Sequence, residues 1–521
     1  MENEREENAI TTDRGGEIYA ECVAEYVLPD YKGDIKRVMH TEARALPSGR
    51  FVGEDVTEFT GVVVFDVLYL TSDNEFASVS FSSDYSARAE KAENVRDVFA
   101  DVRCEGVNVR LPGPRKISAR CRAAITLLED REIETAVLGT TFDEGSEPEL
   151  CYTKVSVQRI MRGAYSDREY AEELAFSPGA SLDDVSVSAE RGNIRVTSAT
   201  SGDGTVNLEG EIAVSCLVTR GESAPRCESI RIPFDERVTV DGARDGMPAV
   251  GRGLVASLRC TPVPVDDGVR INVDVIADFE ADVFSNSEID VVKDVFSKVY
   301  DCENRYKELE YGEFLDARHT TSRASREVAK KDTDAPLAHD VVYLYTTPRI
   351  ETVKIEGSDV KAEGEILFSG VACEISGDAS TNYSGFKIGV PFVEKVNFGS
   401  QIPTDAQVEC SVDASDAHVS LDGENFYLEC SVSLDVILSV KKATSCLVSS
   451  EVCPVQGGAD GCSAVSVYYP EEGDTLFGIA KRFKVSVQKI AEDNSLTEEA
   501  VNMQSDRGSL LSARKLLINK M

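Results

Sequence analysis

Apolar and polar residues alternate with a period of two from residue 17 to about residue 460, in runs broken by Gly, Pro, Asp and Asn. That is the pattern of half-buried strands separated by turns, so the body of the chain is expected to be all-β. The longest strand candidates are residues 117–127, 269–279 and 426–438. Two stretches break the alternation, residues 155–174 and 289–314. In the second, Val291, Val292, Val295 and Val299 fall at near-helical spacing, which predicts helical or mixed connectors. The period changes again near the C-terminus. A β-biased run at residues 464–469 enters a Gly473-Asp474-Thr475 turn, and Leu476, Ile479, Ala480 and Phe483 then lie at i, i+3, i+4 and i+7, one apolar face of a short helix. Asp474 or Thr475 can cap that helix. Ser486 can cap a second one, with Val485 and Ile490 at the spacing of a hydrophobic staple and Asn494 suited to its C-terminal end. A final strand is expected within residues 511–518.

The body repeats. Asp55-Val56-Thr57-Glu58-Phe59-Thr60-Gly61-Val62-Val63-Val64-Phe65 aligns with Thr205-Val206-Asn207-Leu208-Glu209-Gly210-Glu211-Ile212-Ala213-Val214, and with Asp359-Val360-Lys361-Ala362-Glu363-Gly364-Glu365-Ile366-Leu367-Phe368. The glycines recur about every 150 positions, a period of domain size. Ile232-Pro233-Phe234 corresponds to Val390-Pro391-Phe392. Cys104, Cys260 and Cys410 each end a similar tripeptide 43 to 50 positions after their glycine. The connectors carry Gly163-Ala164-Tyr165-Ser166 and Asp294-Val295-Phe296-Ser297 as paired strings. These features divide the chain into a charged flexible N-terminus (1–16), three β repeats (17–165, 166–316, 317–460) and a C-terminal module (461–521).

At 521 residues the chain has room for three or four domains, and its 42% hydrophobic content suits sizeable cores. The formal charge of −37 disfavours nucleic acid or an anionic membrane surface as partner, since both would be repelled. Residues 464–521 hold eight basic and eight acidic residues, so the rest carries all of the net negative charge. The N-terminus has neither the basic start nor the apolar core of a secretory signal, and no run approaches the roughly 20 apolar residues of a membrane span. A cytoplasmic location without membrane insertion is expected. The 14 cysteines include no CxxC pair and suit buried thiols in a reducing compartment.

Candidate chemistry is sparse. There is no P-loop, no Gly-x-Ser-x-Gly elbow and no His-Glu-x-x-His, and Gly251-Arg252-Gly253 is a lone glycine pair with no helix pattern after it. His40, His319, His339 and His418 lie far apart, and Leu111-Pro112-Gly113-Pro114-Arg115-Lys116 reads as a hairpin turn. No catalytic residue, metal site or cofactor is expected.

Gly473-Asp474-Thr475-Leu476, Ile479-Ala480, Phe483, Val485-Ser486 and Asn494-Ser495-Leu496 resemble the LysM module in order and spacing. The family's Pro-Gly turn before the second strand is replaced by a longer connection over residues 497–509. In glycan-binding LysM modules the groove lies between the loop before the first helix and the loop before the second strand. The resemblance therefore implies a binding surface at Gly473, Asp474, Thr475, Leu476, Phe477, Asn494, Ser495 and Leu496; Leu476, like Ile479, Phe483 and Ile490, also suits core packing. Leu28-Pro29-Asp30-Tyr31-Lys32-Gly33-Asp34-Ile35, the Glu-Gly-Glu-Ile strings and the terminal module together resemble the SipL family of clostridial spore formers, whose body is built of domains called DUF3794 or SPOCS. The fold class this implies is mainly β, three tandem sandwich- or barrel-like domains with short helical connectors and a small βααβ LysM domain. The resemblance further implies a non-catalytic assembly protein at the forespore surface in the mother cell. Its LysM module would dock on the basement-layer ATPase of the spore coat or on other coat proteins. The alternative is binding of peptidoglycan or a chitin-type glycan of N-acetylglucosamine.

Overall fold

The computed structural model describes residues 9–92, 94–133, 147–221, 223–375, 381–453, 465–471, 473–496 and 515–519. It is mainly β. Six strands come first: β1 (Ala9–Val27), β2 (Ile35–Val52), β3 (Val56–Thr71), β4 (Phe76–Glu90), β5 (Val95–Gly113) and β6 (Lys116–Ile133). They form two antiparallel sheets, β1-β6-β5 and β2-β3-β4, whose inner faces share one core that includes Cys22, Phe59, Phe65, Tyr85, Cys121 and Ile125. The same connectivity recurs in β7 (Pro148–Pro178), β8 (Val185–Gly202), β9 (Thr205–Arg220), β10 (Arg226–Thr239), β11 (Ala249–Val265) and β12 (Gly268–Ser297), as sheets β7-β12-β11 and β8-β9-β10. It recurs again in β13 (Asp301–Ala329), β14 (Ala338–Glu356), β15 (Asp359–Ile375), β16 (Thr381–Asn397), β17 (Ala406–Asp422) and β18 (Asn425–Cys453), as β13-β18-β17 and β14-β15-β16.

The repeated glycine has a common cause in all three sets. Gly61, Gly210 and Gly364 occupy the central strands β3, β9 and β15, and each faces an aromatic residue across the ladder: Tyr85, Phe234 and Phe392. On the other side the neighbouring strand carries a bulge beside the glycine's partner, at Pro47/Gly49, Val196/Ser198 and Ile350/Thr352. The bulge presses a carbonyl toward the glycine Cα, from Leu46, Arg195 and Arg349 respectively. A side chain there would collide with that carbonyl and with the ring, whose nearest atom would lie 2.6 Å from a Cβ on Gly210. The Pro-Phe string shared by the second and third sets supplies the ring that covers the bare backbone.

The stretches expected to be helical connectors are strands. Residues 155–174 lie inside β7, and residues 289–314 are divided between the end of β12 and the start of β13. The near-helical spacing of Val291, Val292 and Val295 arises because the β12–β7 ladder shifts register between Val292 and Asp294, so the two-residue alternation restarts there. The string at Gly163 sits in mid-strand, whereas the string at Asp294 ends β12, so the two are not at equivalent places. Residues 9–14, expected to belong to a flexible terminus, pair with β6 from Ala9↔Ile133 to Arg14↔Leu128. The 111–116 segment does form the β5–β6 hairpin turn. Its Arg115 donates to the carbonyls of Leu28, Pro29 and Lys32 and to Asp34, clamping the Leu-Pro-Asp-Tyr turn.

Strands β7 and β12, of 31 and 30 residues, are too long for one sandwich. The first half of β12, from Val269 to Val283, packs in its own core with β8, β9 and β10. Beyond it, Val291 packs with Val155, Val157, Ile133 of β6, and Tyr311 and Cys446 of the third set. A buried ion network reinforces the junction of the first two sets: Arg162 bonds Asp282 at 2.6 Å and Asp101 of β5 at 2.9 Å, and Arg252 reaches the same two carboxylates. Gly251 and Gly253 flank that arginine within β11 because the Leu208 and Ile194 side chains of the facing sheet press on them. The pair serves packing rather than a phosphate loop.

Replacing Gly210 by alanine should lower the thermal unfolding temperature of the full chain by about 5 °C, since overpacking of this kind costs roughly 2 kcal/mol or more. Gly202→Ala is the control. Its Cβ would meet nothing closer than 3.7 Å. Differential scanning calorimetry of the two variants compares them directly.

Candidate functional site

The C-terminal module is built from β19 (Val465–Tyr468), α1 (Leu476–Phe483), α2 (Val487–Asp493) and β20 (Leu516–Asn519). The two strands pair antiparallel with Tyr468 opposite Leu516, so the segment leaving β19 and the segment entering β20 emerge at one end of the ribbon. Leu476, Ile479, Ala480, Val485, Val487, Ile490, Ala491, Leu516 and Ile518 form its core.

The loop before α1 is locked by one carboxylate. Asp474 accepts hydrogen bonds from the Tyr468 hydroxyl at 2.7 Å and from the Glu471 amide at 2.8 Å. The bond from Tyr468 raises that phenol's pKa, because it stabilises the protonated form. Gly473 adopts φ 94°, a conformation costly for any residue with a Cβ. Of the two candidate caps it is Thr475 that caps α1, accepting from the Gly478 amide at 3.0 Å; Ser486 caps α2 through the Lys489 amide at 3.1 Å.

The loop after α2 is held as firmly. Asn494 donates to the carbonyls of Ile490 and Leu517, at 2.8 and 2.7 Å, and accepts from the Leu517 amide at 2.6 Å, bolting β20 to the end of the helix. Ser495 takes the left-handed turn at φ 53°, and the Leu496 amide returns to the Ala491 carbonyl at 2.9 Å. The connection over residues 497–509 lies outside the described residues.

Gly473 and Ser495 are thus exposed, while Asp474, Thr475 and Asn494 are half-buried with polar atoms spent on the module itself. Leu476 is buried in the module core and Leu496 packs against it. Phe477 corrects the expectation of a surface residue. It is 4% exposed, and its ring meets Phe296 of β12 edge-on at 5.2 Å between centroids. Contacts between the module and the body were not foreseen from the sequence. The available signal was the placement of Lys481 and Lys484 on a helix in so acidic a chain.

Residues 471–503 match the LysM domain family. LysM is a binding module, and the match covers that part of the chain alone. No curated protein and no solved structure matches the chain. Nothing found in these comparisons supports the SipL or DUF3794 identity of the body.

The body offers little competing chemistry. Among the described residues no group of three or more His, Cys, Asp or Glu is placed to hold a metal ion. His40 stacks on Tyr345 at 3.4 Å between centroids, and burial together with Arg191 and Lys387 depresses its pKa to about 3. His319 pairs with Asp435 at 2.8 Å and touches Thr321 at 3.2 Å on an open strand face. A cavity of about 260 Å³ lined by His40, Glu42, Arg44, Asp66, Glu190 and Arg191 holds two ion pairs, Arg44 with Asp66 and Arg191 with Glu42, while Glu190 accepts from the Cys260 amide at 2.6 Å. No helix among the described residues is long and apolar enough to cross a membrane.

Asn494→Ala should destabilise the module by roughly 2 kcal/mol, the loss of three hydrogen bonds at a partly exposed site. Asn494→Asp, which keeps the acceptor for the Leu517 amide, should fall between. Hydrogen-exchange rates of the α2 amides in the full chain give both values.

Proposed function

We propose that this chain binds glycans containing N-acetylglucosamine, of the peptidoglycan or chitin type, through its LysM module. The match over residues 471–503 carries the reading. The geometry favours it as well. The loop before α1 and the start of the segment after α2, residues 494–496, are braced here by Asp474 and Asn494, and Gly473 and Ser495 are exposed. Pre-organised loops lose little conformational freedom on binding, so few hydrogen bonds to a neutral sugar suffice. Leu496, packed against the module core beside Ser495, supplies an apolar floor.

The three six-strand sets are, in this reading, three copies of one β domain acting as a non-catalytic support. Docking on a spore-coat ATPase rests on the body motifs and the order of β repeats and terminal module that suggested it, and Phe477, Lys481 and Lys484 of α1 already contact the body. Glycan binding therefore takes precedence over the coat-assembly reading.

Co-sedimentation of the full chain with insoluble peptidoglycan or chitin tests the proposal. The wild type should pellet with the glycan. Ser495→Tyr, which places a bulky ring at the exposed loop, should reduce the pelleted fraction about tenfold with an unchanged melting temperature. Failure of the folded wild type to pellet with either polymer would refute the reading.

A further inference from the structure

The face of α1 that points away from its own module lies on the long strands of the body. Lys481 bonds both carboxylate oxygens of Asp294, at 2.6 and 2.7 Å. Lys484, at the left-handed C-cap of α1, bonds Asp301 at 2.5 Å and the Tyr300 carbonyl at 3.1 Å. The Val487 amide at the start of α2 donates to Glu149 at 2.9 Å. Between these polar contacts Phe477 packs on Phe296, and Cys151 of β7 joins the same buried cluster. The seat is thus an apolar centre of Phe296 and Cys151 rimmed by Glu149, Asp294 and Asp301, and it matches the aromatic centre and basic rim of the helix.

The seat is built by the body's own strands. Glu149 and Cys151 open β7, Asp294 and Phe296 close β12, and Asp301 opens β13. Asp294 is held in place apart from the lysine, accepting from Tyr306 at 2.7 Å and from Asn304 at 2.8 Å. A carboxylate fixed in this way presents its charge to Lys481 without a large ordering cost. Meanwhile the side-chain bonds of Asp474 and Thr475, before α1, and of Asn494, at the end of α2, go to the module's own atoms.

We infer that this acidic, aromatic seat is a docking surface in cis for the LysM module: it takes the α1 face of the same chain, fixes the module's orientation and reserves the loop before α1 and residues 494–496 for an external ligand. A protein that used the α1 face would first have to displace Glu149, Asp294, Phe296 and Asp301. Because both lysine pairs are partly open to solvent, raised salt weakens their hold, while the Phe296–Phe477 contact is not screened by salt. Only the role given to the loops rests on the glycan reading; the seat itself does not.

Zero-length carbodiimide coupling of the full chain tests the inference, with the joined peptides identified by mass spectrometry. The expected products are Lys481–Asp294 and Lys484–Asp301, formed within one molecule in an equal mixture of light and heavy isotope-labelled protein. Lys395–Glu356, a pair at 3.0 Å inside the body, is the positive control. Asp301→Lys should abolish the second product, and Asp301→Lys with Lys484→Glu should restore coupling between the two positions. Absence of both products while the control pair couples would overturn the inference, as would their appearance mainly between light and heavy chains. Loss of glycan co-sedimentation with both products present would sink the glycan reading and leave the seat standing.

Discussion

The seat of the C-terminal module depends on the continuation of two ladders, β7 with β12 and β13 with β18, past the cores they help to build. The three six-strand sets also meet in a second core, where Leu68 and Leu70 of β3 pack with Leu217 of β9 and with Tyr343 of β14 and Val371 of β15. Strand β12 changes allegiance along its length: Val273, Val275 and Phe279 belong to its own core, Val291 to the cluster shared with Ile133, Tyr311 and Cys446, and Phe296 to the LysM core. The register shift at Val292/Asp294 makes the last step possible, because it re-aims the end of the strand. Backbone pairing thus supplies a continuous scaffold, and the apolar side chains at its end supply a seat. The T-shaped Phe296–Phe477 pair adds about 0.5–1.5 kcal/mol beyond the area it buries, and the flanking lysine–carboxylate pairs give direction more than energy.

The alternation of apolar and polar residues made the all-β body legible, and the C-terminal module could be read to the level of its caps. A period of two has few rivals over such long stretches, and Ser486, Thr475 and the Gly473 turn act locally. The repeated glycine was visible as a repeat without its reason, since both the carbonyl and the ring that require it come from neighbouring strands. The connectors were misread where bulges interrupt the alternation, because an inserted residue turns a strand pattern into one that resembles a helix. Phe477 was misplaced for a related reason. Its exposure is decided by Phe296, some 180 residues earlier in the chain, and no local pattern reports such a contact.

For the candidate site the consequence is a division of labour within about 25 residues. One side of the LysM module, the α1 face, is spent on the body. Gly473 and Ser495, beside the braces Asp474 and Asn494, stay exposed, and Lys481 and Lys484 are matched by Asp294 and Asp301. A neutral sugar polymer suits what is left better than a charged one, in a chain whose formal net charge is −37.

The most direct test is hydrogen-exchange mass spectrometry of the full chain with and without a soluble N-acetylglucosamine oligomer. The account predicts added protection confined to the loops around Gly473–Leu476 and Asn494–Leu496, over an α1 face and a Glu149, Asp294 and Phe296 seat that are already protected and do not change. Unchanged loops, or protection that appears at the seat only when the sugar is added, would contradict it.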